Sequence, residues 1–372
     1  MRNKSHIILT IDVEDWFQVE NFKPWIPFHS WGHCDLRVEK NIHRLLDLFD
    51  EAEVRGQRTE DGSQRSEDSA QGIEGRDQKT EIRRKNSDVS GQTAEGEGRN
   101  ILNAGNPVDI TNPRSHVRKN NGSNISNHGQ TKKVKATFFV LGWIAKKLPH
   151  LIREIHARGH EVASHGCDHE LSNQLMPDIL KAELNESKNI IEGIIGAPVY
   201  GFRAPSFSIS HDALKVIQDC GYLYDSSYNS FRMHARYGQV NISEYPKNGI
   251  CVKISENFYE LPVSNIKILN QVIPFAGGAY FRILPYLFFK FGVQSILRKK
   301  KAYLFYFHPW EIDAAQPKVV AASILDKFKH YHNLDKTPIR LQKFLKTFSA
   351  SQFVSCKEYL DGMKTKFSDK DF

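Results

Sequence analysis

Two apolar textures alternate along this chain. Short runs rich in β-branched and aromatic residues read as strands: IILTID (7–12), KATFFVL (135–141), EVASH (161–165), VYGFRAP (199–205), YLYDSS (222–227), NFYELPVS (257–264) and AYLFYFHPWE (302–311). Between them lie stretches with the period of an amphipathic helix: NIHRLLDLFDEAEV (41–54), PHLIREIHARGH (149–160), PDILKAELNESKNIIEGIIG (177–196) and SHDALKVIQDCG (210–221). Their ends are marked, by Gly159, by Gly196, and by Ser210 as a cap with Gly221 as a stop. Such alternation predicts an α/β fold with a mainly parallel sheet, open or closed into a barrel.

One region breaks the pattern. No aromatic residue occurs between Phe49 and Phe138, and the text there is Gly, Ser, Asn, Gln and charge. Residues 55–132 cannot bury enough apolar surface to offset chain entropy and are expected to be a disordered insertion. It joins a helix to a strand, and closure entropy grows only slowly with loop length. The basic stretch inside it lacks interleaved aromatics, so no nucleic-acid partner is expected.

Composition narrows the setting. The 372 residues, 40% of them hydrophobic, suffice for a substantial core. A net charge of +8 is compatible with anionic partners but needs none. Five scattered cysteines without a C-x-x-C pair argue for a reducing compartment and against a disulfide framework or thiolate zinc knuckle. No apolar run approaches a membrane span or a signal-peptide core, so a cytoplasmic protein is expected, with peripheral contact to a membrane face left open through RKKK (298–301).

The chemistry gathers where the predicted strands end. Asp12, Glu14 and Asp15 follow the first, His165 and His169 the third, then Arg203, Asp225 and His308. In barrels of this class that position is where catalytic groups collect. His165 and His169, four apart, can share one metal with a carboxylate, leaving positions open for water. Asp12 is the better base and Glu14 the better ligand, since both point the same way along a strand. A bend after Val13 would bring Asp15 into Glu14's place. Three crowded acids need positive charge nearby, and a divalent cation with Arg203 would supply it.

These residues resemble the polysaccharide deacetylase (NodB-homology) family of carbohydrate esterases. TIDVED stands at its acidic motif, SHGCDH at its histidine motif, RAPSFS at its R-x-P motif and FYFHPWE at its closing strand. YELPVS, PFAGGAYFRILP and KFKHYHNLDKTPIRLQKFL look like the C-terminal extension of the branch found with exosortase-linked exopolysaccharide loci. The resemblance implies a distorted (β/α) barrel, with residues 1–54 as its first part and 133–231 as the remaining core motifs. Residues 232–372 would be the extension that completes and packs on it.

For chemistry the resemblance implies N-deacetylation of N-acetylhexosamine units in a polymeric or lipid-linked glycan. A divalent metal, zinc foremost, would sit on His165, His169 and Glu14, with Asp15 the alternative. Asp12 would be the base, Arg203 its anchor, His308 the acid, and Asp225 the partner that orients His308. Trp16, Phe207 and Trp310 are the candidate sugar-binding rings. Two departures stand out: Val13 replaces the family's second adjacent aspartate, and Ser206-Phe207 replaces its glycine. Another metal-dependent amidohydrolase or a glycan-binding module are the alternatives.

Overall fold

The computed structural model describes residues 5–61, 133–231, 238, 240–269, 271–365 and 367. The expected disordered insertion lies outside these residues, apart from the helix that continues past residue 55 to Asp61. The strands are β1 (His6–Val13), β2 (Thr137–Val140), β3 (Glu161–Ser164), β4 (Gly201–Phe202), β5 (Tyr224–Asp225), β6 (Lys247–Asn248), β7 (Cys251–Lys253), β8 (Tyr259–Glu260), β9 (Asn265–Ile268), β10 (Gln271–Pro274), β11 (Ala302–Phe307) and β12 (Gln352–Val354). The helices are α1 (Val38–Asp61), α2 (Gly142–Lys147), α3 (Pro149–Ala157), α4 (Pro177–Ile195), α5 (His211–Asp219), α6 (Gly278–Ile283), α7 (Tyr286–Lys300), α8 (Ile324–Tyr331), α9 (Thr337–Thr347) and α10 (Cys356–Lys364).

The result is an α/β fold around a curled half-barrel sheet of order β11-β1-β2-β3-β4-β5-β8-β7-β6, parallel from β11 to β8 and antiparallel at the β8-β7-β6 edge. β1, second in that order, has the most strand partners, and all of it after His6 is buried. It pairs along one side with β11, from His6↔Ala302 to Ile11↔Phe307. Its other side is shared, β12 taking His6–Ile8 and β2 taking Thr10–Val13. Side chains alternate: Ile7, Leu9, Ile11 and Val13 pack under the outer helices, whereas Ile8, Thr10 and Asp12 line the concave interior.

The barrel does not close through a strand ladder. The residues that flank the β9–β10 hairpin bridge the gap to β11 instead. Leu304 N–H donates to Ser264 Oγ (2.9 Å), Tyr306 N–H donates to Ala276 O (2.8 Å), and Gly277 forms a bridge to Tyr306. Gly277 sits at φ +132°, and a Cβ there would lie 2.0 Å from Tyr306 O, so only glycine makes this approach. GGAY thus closes the ring and opens α6.

Two helix-end signals read from sequence hold, whereas α1 outruns its expected 41–54 at both ends and β4, β5 and β8 keep only two residues each of the longer runs read as strands. Gly196 ends α4 in the left-handed conformation, and Ser210 Oγ accepts from Ala213 N–H (3.1 Å) at the start of α5. No helix among the described residues is long and apolar enough to cross a membrane.

Candidate active site

The three crowded acids are tolerable because each points at a different source of positive charge. β1 ends at Val13, and Glu14 N–H turns back to donate to Asp12 O (2.9 Å), so the chain does bend there. The bend does not hand Glu14's place to Asp15. Asp15 faces the start of α1, where its carboxylate accepts from Arg37 N–H (2.6 Å) and Val38 N–H (2.8 Å), besides Trp16 N–H (2.8 Å). Burial nevertheless pushes its pKa up to about 6 against those donors.

Glu14 turns to the histidines. Its Oε1 lies 2.9 Å from His165 Nε2 and 3.1 Å from His169 Nε2, and one donor atom from each of the three residues falls within 4.8 Å of the others. Burial alone would raise the Glu14 carboxyl, but His169, His165 and the more distant His308 hold it well below the usual carboxylate range. His165 Nδ1 lies 2.7 Å from Arg203 O. A carbonyl only accepts, so Nδ1 carries the proton and Nε2 keeps its lone pair for a ligand. The donor set, one carboxylate and two imidazoles converging in a buried corner, fits a divalent cation of the zinc type. Cys167, between the histidines, does not join it: its thiol points to Glu183 O (3.7 Å), and burial pushes its pKa up to about 12.

Asp12 is held by Arg203. The buried guanidinium donates to Asp12 Oδ1 (2.7 Å) and, two residues back on the same face of β1, to Thr10 Oγ1 (2.8 Å). Ser226 accepts two further bonds through its carbonyl (3.0 Å) and hydroxyl (2.8 Å), and the group lies over the Phe139 ring at 4.2 Å. Arg203 is therefore fixed on all sides before any ligand arrives.

His308 faces Asp12 from across the cleft, Nε2 to Oδ2 at 3.9 Å. Its orienting partner is not Asp225. The Asp225 carboxylate accepts from Ser227 Oγ (2.6 Å) and Ser227 N–H (3.1 Å), and it pairs with Glu260. Burial raises the pKa of both acids, and the Asp225 charge adds to the rise at Glu260, so the pair holds a proton on the Glu260 side. The place next to His308 belongs to Glu311, whose Oε1 accepts from His308 Nδ1–H (2.8 Å) and from His308 N–H (3.1 Å). The spacing is that of a capping box with histidine as the cap, a signal that HPWE carried in plain view. Glu311 in turn accepts from Arg282 Nε (2.7 Å), and both are fully buried. Arg282 also donates to the carbonyls of Lys329 (2.8 Å), His330 (3.0 Å) and His332 (2.7 Å), tying down the end of α8. Burial opposes charge on His308, but Glu311 and then the carboxylates of Glu14 and Asp12 push its pKa up to about 9.

An open cleft joins these groups, with Asp12, Glu14, His169, Ser206, Phe207, Tyr306, His308 and Trp310 in its lining. Of the three expected sugar-binding rings, Phe207 and Trp310 line it. Trp16 does not: it is buried with Phe17 and Trp31, and its indole N–H donates to Asp35 O (2.9 Å). Trp310 stacks between His308 (5.1 Å) and His330 (4.1 Å). Ser206 and Phe207 stand at φ +53° and +57°, consecutive left-handed residues where the family's glycine was missed in the sequence.

Residues 119–224 match the family model described as polysaccharide deacetylase, and residues 226–361 one described as a domain of unknown function. The likeness to polysaccharide deacetylases thus rests on residues 119–224, which include His165, His169 and Arg203.

Its relatives carry matching names. A peptidoglycan deacetylase-like protein of Gibberella zeae is 34% identical over 25% of this chain and 28% of its own length. A chitooligosaccharide deacetylase of Sinorhizobium fredii is 39% identical, and a peptidoglycan-N-acetylglucosamine deacetylase of Bacillus cereus 27% identical, each over 24% of this chain and 42% of its own. The chain thus spans less than half the length of these relatives. Among solved structures, a Mycobacterium smegmatis protein provisionally named a polysaccharide deacetylase superposes at TM-score 0.52 and 15% identity. That match covers 98% of this chain and 92% of the other, and it shows the shared fold.

Proposed function

We propose that this protein is a metal-dependent deacetylase that removes acetyl groups from N-acetylhexosamine units of a polysaccharide or lipid-linked glycan. The observation that carries the reading is the convergence of Glu14, His165 and His169 beside an arginine-held Asp12, with His308 opposite, in one open cleft. A divalent cation on the three ligands, with zinc the expected ion, supplies Lewis acidity toward an acyl oxygen and lowers the pKa of water.

The chain's own groups do the rest. Asp12 accepts a proton from the attacking water, and Arg203 holds that carboxylate and aims it. His308 enters protonated and gives its Nε2 proton to the departing amine nitrogen, while Glu311 fixes the ring and offsets the imidazolium charge. Glu311, and then Glu14 and Asp12, hold the His308 pKa up at about 9 against burial, so the ring enters with the proton it gives. Phe207 offers an apolar surface for a sugar ring, and Trp310, its faces taken by His308 and His330, presents only its edge to the cleft.

The likeness of motifs within residues 259–345 to the exosortase-linked branch supports a role in exopolysaccharide biosynthesis, and the five unpaired cysteines support a reducing, cytoplasmic setting. Acetate release from N-acetylglucosamine oligomers tests the chemistry. The expected result is release that a chelator abolishes and zinc restores. Tight binding of one metal ion without acetate from any glycan would reject the substrate class.

A further inference from the structure

From Leu261 to Trp310 the chain contains no Asp or Glu, although it has 43 elsewhere. The same stretch holds Lys267, Arg282, Lys290, Arg298, Lys299, Lys300 and Lys301. Arg282 is buried and paired, and the others are exposed or half-buried. Large apolar side chains are also left in solvent here. Leu269, at the turn between β9 and β10, is 94% exposed, with Ile268 beside it. On α7, Leu287 (62%), Phe288 and Phe291 (61%) point outward, while Phe289, Gly292, Val293, Ile296 and Leu297 face the core. The hairpin packs along α7, where the Phe275 ring that follows β10 meets Phe288 at 5.4 Å.

The outward stripe of α7 therefore runs from three large apolar residues at its start to a basic cluster at its end. Water disfavours the first, and no acid offsets the second. A core or a soluble partner would want one or the other; an anionic bilayer surface takes both at once. We infer that the outer face of α7 and the β9–β10 turn dock the protein on an anionic lipid surface.

The placement bears on the site. Tyr280 and Ile283 of α6, the helix leading into α7, line the catalytic cleft. A bilayer under α7 lies beside the cleft mouth, where a glycan carried on a lipid is presented. Lipid docking does not depend on the deacetylase reading, since vesicle binding is measured without turnover.

The test is sedimentation of the full chain with vesicles of phosphatidylcholine alone and with about one-quarter phosphatidylglycerol. Expected is pelleting with the anionic vesicles only, weakened by salt, and reduced by about tenfold in Leu269→Glu with Phe291→Glu and again in Lys299→Glu with Lys300→Glu. Neither pair touches the catalytic groups, so both variants are expected to keep acetate release from short soluble oligomers and unchanged melting. No binding to anionic vesicles, or equal binding by the variants, overturns the inference. So does a concentration-dependent dimer that Leu269→Glu with Phe291→Glu abolishes while vesicle binding is absent, which would assign the face to a second copy.

Discussion

The two walls of the cleft solve the problem of buried charge in different ways. On one, the polar groups come from the ends of β1, β3 and β4 and satisfy one another directly: Glu14 with two imidazoles, Asp12 with Arg203. On the other, His308 depends on a supporting chain that never reaches the cleft's reacting groups, through Glu311 to Arg282 and on to three carbonyls at the end of α8. The first wall is assembled by strand register, because Thr10 and Asp12 share a face of β1. The second is assembled by a loop and helix that must be tied in place. Ligand-type groups tolerate mutual contact, whereas a proton donor needs a partner that sets its charge without competing for its proton.

The largest effects are expected on the first wall. Asp12→Asn or His165→Ala is expected to lower acetate release by about a thousandfold with melting little changed, checked by steady-state assay beside circular dichroism. Wild-type rates in either variant would remove these residues from the chemistry. On the second wall, Glu311→Gln is expected to lower kcat by about ten- to a hundredfold. It also withdraws the carboxylate that raises His308, so the alkaline limb of the pH–rate profile should move to lower pH. An unmoved profile would mean that Glu311 only holds the loop.

Stability sharpens the contrast. Arg282→Met leaves the Glu311 carboxylate buried without its cation and is expected to cost about 3–5 kcal/mol, read by denaturant unfolding. In metal-free protein the His308 pKa is raised from about 6.5 to about 9 on folding. Its stabilisation is therefore complete below pH 6.5 and lost as pH rises through 9, worth about 3 kcal/mol at most. His308→Gln should flatten that limb of the stability profile. The smallest expected difference separates two tryptophans: Trp310→Ala raises KM by about tenfold, while Trp16→Phe leaves KM unchanged and lowers only the melting temperature.

Much of the first wall was legible in the sequence, and much of the second was not. Period-two alternation fixes that Asp12 faces inward, and the strand-end rule finds His165, His169, Arg203 and His308 without any contact map. Asp225 satisfied the same rule yet serves Ser227 and Glu260, because strand-end position says nothing about which neighbour a side chain reaches. Glu311 could have been read from HPWE as the N3 partner of a histidine cap, but Glu is not the family's motif residue and the strand-end rule stops at His308. Arg282 sits in the short helix α6, and apart from Glu311 its partners are backbone carbonyls that no residue type reveals. Trp16 sat beside the acids in sequence, but the bend after Val13 turned it into the Trp31 cluster.

The pairing of β1 carries a consequence for how the chain is made. Its first strand finds its partners in β11 and β12, roughly three hundred positions downstream, and only β2 comes earlier. During synthesis Ile7, Ile8, Leu9 and Ile11 are made long before these neighbours, a high-contact-order arrangement that slows folding and leaves a sticky segment in the nascent protein. His308 follows directly on β11, so that imidazole and the strand that pairs with β1 arrive together. A ribosome-bound chain that has not yet reached that strand holds the ligand wall's residues but no acid to complete them.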